Sequence, residues 1–335
     1  MREFVYLRAA TVAEAVALAS TTASDGGAPA RYLAGGTNLV DLMREEVERP
    51  ERVVDISRLP LSAVEDLPGG GLRLGALAGN TQVAADPRVR RRYPVLARAI
   101  LSGASPQLRN RATVGGNLLQ RTRCHYFYDT AAACNKRTPG AGCDALEGVN
   151  RGHAVLGASR SCVAVHPSDM CVALAALDAT VNVTGPEGGR SVPFTGFHLL
   201  PGRTPQVETV LRDGELVTSV DLPPAPPGRG AYAKMRDRAG FAFALVSVAV
   251  LVHVEDGRIV LARLALGGVA HKPWRAREAE DLLTGATPGA TAFESAARAA
   301  LAEARPLRDN GFKPELARRL IRRTLTGLVT DAFTS

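Results

Sequence analysis

At 335 residues the chain exceeds one average domain, so two or three compact units sharing a sizeable buried core are expected. Its 46% hydrophobic content is that of ordinary globular proteins, and no apolar run reaches the roughly 18 residues needed to span a bilayer, which argues against membrane insertion. The net charge of +8 comes almost entirely from Arg. Only four lysines are present, and the clusters "RVRRRYP" (88–94) and "ARRLIRR" (317–323) sit at helical spacing without interleaved aromatics, as solvated or subunit-facing surfaces do, so no nucleic-acid partner is expected.

The N-terminal stretch "MREFVYLRAATVAEAVALAS" spaces its apolar residues as an amphipathic helix does, and no export signal of its own is visible. Residues 1–55 read as a short strand, a helix over 11–20, a strand at "RYLAGG", a helix from Leu39 and a strand at "RVVDIS", a small βαβ-like unit. In "GLRLGALAGNTQVAADPRV" the alternating Leu72 and Leu74 predict a strand, followed by a helix capped by Asn80 or Thr81. Beyond the cysteine-rich stretch, Ser168 is placed to cap the apolar helix of "HPSDMCVALAALDATVNVTGPEG". The prolines of "DLPPAPPGRG" (221–230) mark a linker, so the expected units are 1–222, with lobes of about 1–55 and 56–222, and 223–335. Then "FALVSVAVLVHVEDGRIVLARLALGGVA" reads as a hairpin around "EDG" whose first strand is expected to be partly helical, with helices at 275–283, 290–304 and 313–330.

Two glycine pairs carry chemistry. "LAGGTNL" (33–39) follows a strand, and "RNRATVGGNL" (109–118) sets a second pair beside Thr and Asn. Glycines let backbone N–H groups approach phosphate oxygens, and two such loops together suggest a diphosphate held between them. The dinucleotide fingerprint G-x-G-x-x-G is absent from both.

All five cysteines, Cys124, Cys134, Cys143, Cys162 and Cys171, fall within 48 residues, three of them in "CHYFYDTAAACNKRTPGAGC" (124–143). Such local clustering argues for a bound ion or cluster rather than a disulfide framework. The gaps of 10, 9 and 19 residues among the first four do not suit a compact zinc ribbon, although a zinc-bound docking module remains an alternative. Cys171 lies in the apolar helix, where a free buried Cys is ordinary core.

Taken in order, "YLAGGTNLVDLM", "LRLGALA", "RNRATVGGNL", "PSDMCVALAALDA" and "GELVTSVDLP" resemble the FAD-binding subunit of the molybdenum hydroxylases, the family of xanthine dehydrogenase, carbon monoxide dehydrogenase and aldehyde oxidoreductases. The resemblance implies an α+β fold: a two-lobed FAD-binding domain of the molybdopterin dehydrogenase type followed by an α+β domain of antiparallel sheet and helices. It implies that Tyr32, Leu33, Ala34, Gly35, Gly36, Thr37, Asn38 and Leu39 wrap the flavin diphosphate, with Thr113, Gly116 and Asn117 as a second cradle. Gly103 and Ala104 would line the flavin pocket, Val217 would also meet the cofactor, Asp169 would bond the adenosine ribose, and Lys234 would sit close to the isoalloxazine ring. Plain helix capping by Asp169 and an idle surface position for Lys234 are the competing readings.

In most of the family the "GGN" turn runs almost directly into the "SD" helix, whereas here some fifty residues separate Gly116 from Asp169. The insert, about 119–165, resembles that of the FAD subunit of the bacterial periplasmic aldehyde oxidoreductases, which holds a [4Fe-4S] cluster. This implies Cys124, Cys134, Cys143 and Cys162 as its ligands, with no ligand role for His125 or Cys171. The implied function is electron transfer within a heterotrimer, from a small subunit with two [2Fe-2S] clusters and a large molybdopterin subunit, through FAD, to an external electron acceptor. A 4-hydroxybenzoyl-CoA reductase-like or xanthine dehydrogenase-like flavin subunit, or a standalone FAD-linked oxidase, are the alternatives. No catalytic acid or base is evident. The compartment stays open between cytoplasm and, by co-export with a partner, periplasm.

Overall fold

The computed structural model describes residues 1–24, 30–238 and 240–330, and among them three β-sheets with helices between them build the fold. The first sheet is parallel, in the order β1 (Val5–Arg8), β3 (Arg52–Asp55), β2 (Arg31–Leu33), with α1 (Val12–Ser24) and α2 (Leu39–Arg44) as its crossovers. Thr11 starts α1: its hydroxyl accepts from the Glu14 N–H while the Glu14 carboxylate reaches back to the Ala10 N–H.

The second sheet is antiparallel, in the order β4 (Val64–Asp66), β5 (Leu72–Gly75), β8 (Leu216–Leu222), β6 (Thr180–Gly185), β7 (Gly188–Pro193). Between β5 and β6 run α3 (Asn80–Ala85), α4 (Pro87–Arg92), α5 (Pro94–Ser102), α6 (Pro106–Arg111), α7 (Val114–Leu118), the single turn α8 (His125–Tyr128) and α9 (Asp169–Ala176); α10 (Phe194–Phe197) follows β7. Three successive helices open on proline, whose missing N–H costs nothing at a helix start. Ser168 caps α9 as expected, accepting from the Cys171 N–H at 3.0 Å. The cap of α3 is instead Gly79, whose N–H is taken by the Gln82 side chain, and Asn80 is already helical.

Past Leu222 no strand or helix forms until β9 (Arg229–Met235), which pairs antiparallel with β10 (Val246–Glu255), then β11 (Arg258–Gly267) and β12 (Trp274–Arg275). The helices α11 (Arg277–Leu283), α12 (Ala290–Ala299) and α13 (Lys313–Thr330) complete the chain. The expectation that the first hairpin strand is partly helical does not hold. Val246, Val248, Val250 and Val252 face the core shared with α12 and α13, while Ala249 and Leu251 face the core shared with α5 and α9. Burial on both faces explains a continuous apolar run that still keeps period two. Every residue of α9 is buried, because this helix is trapped between the second sheet's layer and the third sheet.

The basic clusters are largely engaged. Arg88 bonds Asp86 and Asp66, Arg92 bonds Asp66 and the Gly70 and Gly71 carbonyls, and Arg318, Arg319 and Arg322 pair with Glu315 or Glu294. No described helix is long and apolar enough to cross a membrane.

Candidate cofactor sites

After β2 the chain turns through Gly35 and Gly36 into α2. Gly36 has φ +76°, a conformation that disfavours a side chain. A Cβ on Gly35 would lie 1.9 Å from the Arg111 carbonyl oxygen, so the loops 33–39 and 109–118 rest directly on one another. Thr113 caps α7 by accepting from the Gly116 N–H at 3.2 Å. The two loops wall a cleft of roughly 470 Å³, within the range of cofactor sites, whose lining includes Tyr32, Ala34, Gly35, Gly36, Thr37, Asn38, Leu39, Thr113, Gly116 and Val217. Asn38 accepts from the Arg121 backbone N–H at 2.8 Å, which leaves its buried Nδ2 without a partner and open to an anionic oxygen. Leu33 sits behind the lining, its side chain near Gly36. Asn117 also stands behind it, its Oδ1 accepting from the Ser168 hydroxyl at 2.6 Å and from Gln120 at 2.7 Å.

Gly103, Ala104, Asp169 and Lys234 meet elsewhere, at the junction of α5, α9 and β9. Lys234 is no idle surface residue: its side chain is 5% exposed, and Nζ donates to Asp169 Oδ2 at 2.8 Å and to the Ser102 carbonyl at 3.0 Å. Tyr232 donates to the other Asp169 oxygen, and a Cβ on Gly103 would come within 3.0 Å of Asp169. Ala104 adopts φ +51°. Asp169 therefore does more than begin α9.

The insert has little regular structure yet is heavily cross-bonded. Cys134 and Cys143 face each other as an antiparallel bridge closed by Asn135, whose N–H donates to the Gly142 carbonyl and whose Oδ1 accepts from the Gly142 N–H. The Asn135 Nδ2 donates to the Ser161 carbonyl, tying this hairpin to the segment of Cys162. The Arg137 guanidinium holds the carbonyls of Tyr126 and Phe127 and so the turn that starts at Cys124. Burial pushes the thiols of Cys124 and Cys162 up to about 12 and about 11, and Cys143 upward too. Cys134 and Cys143 are paired across the bridge, Cys124 packs against the cluster of Leu42, Phe127 and Cys134, and Asn135 ties the segment of Cys162 to the same hairpin, so the four cysteines are gathered in one part of the insert. The Ala164 N–H donates to the Cys162 sulfur at 3.5 Å, while the Phe127 and Leu146 N–H groups are taken by the carbonyls of Cys124 and Cys143. Four thiols gathered in one cross-bonded insert form a donor set that suits a thiolate-bound metal centre. Cys171 is fully buried in α9, beside Ser168 and Asp169.

Several residues important to this region escaped sequence reasoning. Lys136, 1% exposed at its side chain, donates to Glu208, to the Pro205 carbonyl at 2.9 Å and to His271 Nε2 at 2.8 Å. Burial drives His271 down to about 3, so it stays neutral and accepts the ammonium while Nδ1 donates to the Ala164 carbonyl. Arg121 pairs with both Glu48 and Glu208. Arg121, Glu48, Glu208 and His271 all line the cleft, as does Leu42, which also packs on Phe127 and Cys134. The thiol site and the cleft thus share a wall. His166 and His198 close the cleft nearby, both bonded through Nε2 to the Leu118 carbonyl and held neutral by burial. With Cys171 they bring three donor atoms within 4.8 Å of one another. His153 Nε2 lies 3.1 Å from Cys124 Sγ. The rarity of lysine was the one available signal for Lys136.

Residues 2–225 match the family described as the FAD binding domain in molybdopterin dehydrogenase, and residues 230–331 match the CO dehydrogenase flavoprotein C-terminal domain. The chain is 51% identical over 333 residues to the aldehyde oxidoreductase FAD-binding subunit PaoB of Escherichia coli (strain K12), covering 99% of both chains. The chain belongs to the FAD-binding medium subunits of the molybdenum hydroxylases. It is also 28% identical to the carbon monoxide dehydrogenase medium chain of Hydrogenophaga pseudoflava, over 96% of each. A solved structure of carbon monoxide dehydrogenase from that organism superposes with a TM-score of 0.77 at 27% identity, covering 98% of both chains. Reconstituted CO dehydrogenase from Oligotropha carboxidovorans gives 0.76 at 25%, again over 98% of each. The resemblance drawn from the motifs and the α+β fold it implied both hold, and FAD is the cofactor of this medium subunit family.

Gly35→Ala should cost most of the bound FAD, because the added Cβ forces the two loops apart; flavin absorbance per protein after gel filtration measures it. Glu208 gives a pH-dependent test. Burial raises its carboxyl, but Arg121 and Lys136 overcome this and hold it at about 2, below its ordinary 4.5. Its stabilisation is therefore present above about pH 4.5 and lost as pH falls toward 2. Glu208→Gln should destabilise the protein by about 3 kcal/mol near neutrality, by leaving Lys136 without its carboxylate, with the difference from wild type shrinking in acid. Denaturant midpoints across that range check it.

Proposed function

We propose that this chain is the FAD- and [4Fe-4S]-carrying electron-transfer subunit of a molybdenum-dependent aldehyde oxidoreductase. The observation that carries the reading is the gathering of Cys124, Cys134, Cys143 and Cys162 in one cross-bonded insert that packs through Leu42 on the wall of the cleft. The family relationship and the 51% identity to a subunit named for aldehyde oxidoreduction support it. When bound, FAD supplies two-electron exchange and the cluster single-electron transfer. The protein's part is to hold both.

On this reading Tyr32, Ala34 to Leu39, Thr113 and Gly116 hold the diphosphate, with Asn38 Nδ2 a donor to it and Leu33 and Asn117 supporting the loops from behind, and Val217 borders the cofactor. Gly103, Ala104, Asp169 and Lys234 serve the flavin and ribose end, where the Lys234–Asp169 pair keeps a cation in place. The four thiols bind iron, and the Ala164 N–H offsets part of the charge of the Cys162 thiolate. A division at the proline linker, 1–222 and 223–335, assigns the cofactors to the first unit and Lys234 to the second. The partners are a small subunit with two [2Fe-2S] clusters and a large molybdopterin subunit, with an external acceptor beyond the flavin.

Cys143→Ser should remove most iron and labile sulfide from anaerobically purified protein, whereas Cys171→Ser should leave them intact. Zinc in place of iron in the wild type, or cluster loss from Cys171→Ser but not Cys162→Ser, contradicts the assignment. The subunit purified alone should bind FAD yet fail to turn over aldehydes with an artificial acceptor, and activity should return with its partners. Robust turnover by the isolated subunit would favour a standalone oxidase.

A further inference from the structure

Of the four thiols, Cys124 is distinguished by its surroundings. Sequence position suggested His125 as its neighbour, but the imidazole that reaches the sulfur is that of His153, twenty-nine residues away, with Nε2 at 3.1 Å from Sγ. Among the described residues, no other of the four has a side-chain nitrogen bonded to its sulfur; the contact at Cys162 is the backbone N–H of Ala164, at 3.5 Å.

The ring is held firmly. His153 is 4% exposed, its N–H donates to the Asn150 carbonyl, and its own carbonyl accepts from Asn310 at 3.1 Å and from Lys313 at 2.8 Å. Lys313, at the start of α13, is itself fully buried and also donates to the carbonyls of Gly152 and Gly268. The rings of His125 and Tyr126 flank His153 at centroid distances of 6.1 and 6.3 Å. The C-terminal helix thus positions a side chain of the insert against a cysteine, and Nδ1 has no partner of its own.

A metal-bound thiolate can only accept a hydrogen bond, so a neutral imidazole facing it must carry its proton on Nε2. An N–H donor at a ligating sulfur favours the more negative, reduced state of an iron–sulfur centre and raises its reduction potential. We propose that His153 is a positioning residue that sets the reduction potential of the metal centre by donating Nε2–H to the Cys124 sulfur. This rests on the cluster reading above, and the test separates the two.

The test uses the complete complex, with iron and sulfide analysis beside an EPR-monitored redox titration. His153→Phe removes the donor while keeping a planar ring; His153→Gln keeps an N–H within reach of Sγ. The expected result is full iron content in both, with the midpoint of the Phe variant displaced to more negative values by about tenfold in the one-electron equilibrium, about 59 mV, and the Gln variant lying closer to wild type. Deuterium exchange should also reveal, in the wild type, an exchangeable proton coupled to the reduced centre. An unchanged midpoint in iron-replete His153→Phe, equal shifts or equal iron loss in the two variants, or no coupled exchangeable proton in the wild type overturns the role of His153 alone. A wild-type complex free of iron overturns the cluster reading and this role with it.

Discussion

One buried ammonium joins the parts of this molecule that matter. Lys136 belongs to the insert, yet its three partners come from the segment before β8 (Pro205 and Glu208) and from the loop after β11 (His271). Removing a lysine head group from water is costly, and the cost is offset only if every donor finds a partner of suitable polarity. Here a carboxylate, a carbonyl and a neutral imidazole supply them. Through Glu208 the network continues to Arg121 and Glu48, and so to the wall of the cleft between the two glycine loops. The insert cannot move as a unit without stranding that charge.

The other lysines follow the same pattern. Lys234 pairs with Asp169 between α9 and β9, Lys313 holds three carbonyls at the start of α13, and partly buried Lys272 donates to the Thr195 carbonyl. A compact ammonium suits a site of converging carbonyls, whereas the planar guanidinium suits bidentate pairing with carboxylates. Arginine does that here: Arg73 with Asp221, between strands, and Arg190 with Glu215, just before β8, are forked pairs. Arginine serves an interior joint too, since Arg275, 5% exposed at its side chain, pairs with buried Glu280 and with Asp178.

The insert shows how about fifty residues hold shape with almost no helix or sheet. Side chains replace the missing ladders: Asn135 closes a hairpin and ties it to Ser161, Arg137 gathers carbonyls of the turn after Cys124, and Asn150 and Asn310 bind the last stretch to the C-terminal unit. Regular structure projects side chains along one face or two, and four thiols cannot point at one centre from it. Irregular backbone can aim them inward, provided its polar groups are satisfied locally.

Much of this was legible in the sequence because it is local. The alternation of Leu72 and Leu74, the Ser168 cap, the glycine pairs and the grouping of the cysteines depend on residues a few positions apart. The motifs carried the family for the same reason, since a loop that turns beside a phosphate needs its glycines at short, set intervals. Only the tertiary structure decided which distant groups meet. It set Gly35 against Arg111, withdrew Lys234 from the surface to Asp169, kept the valines of β10 extended by burying both faces, and brought His153 rather than His125 to Cys124. Such pairings come from burial and the satisfaction of polar groups across the whole fold, and neither quantity has a period or a spacing that a linear chain displays.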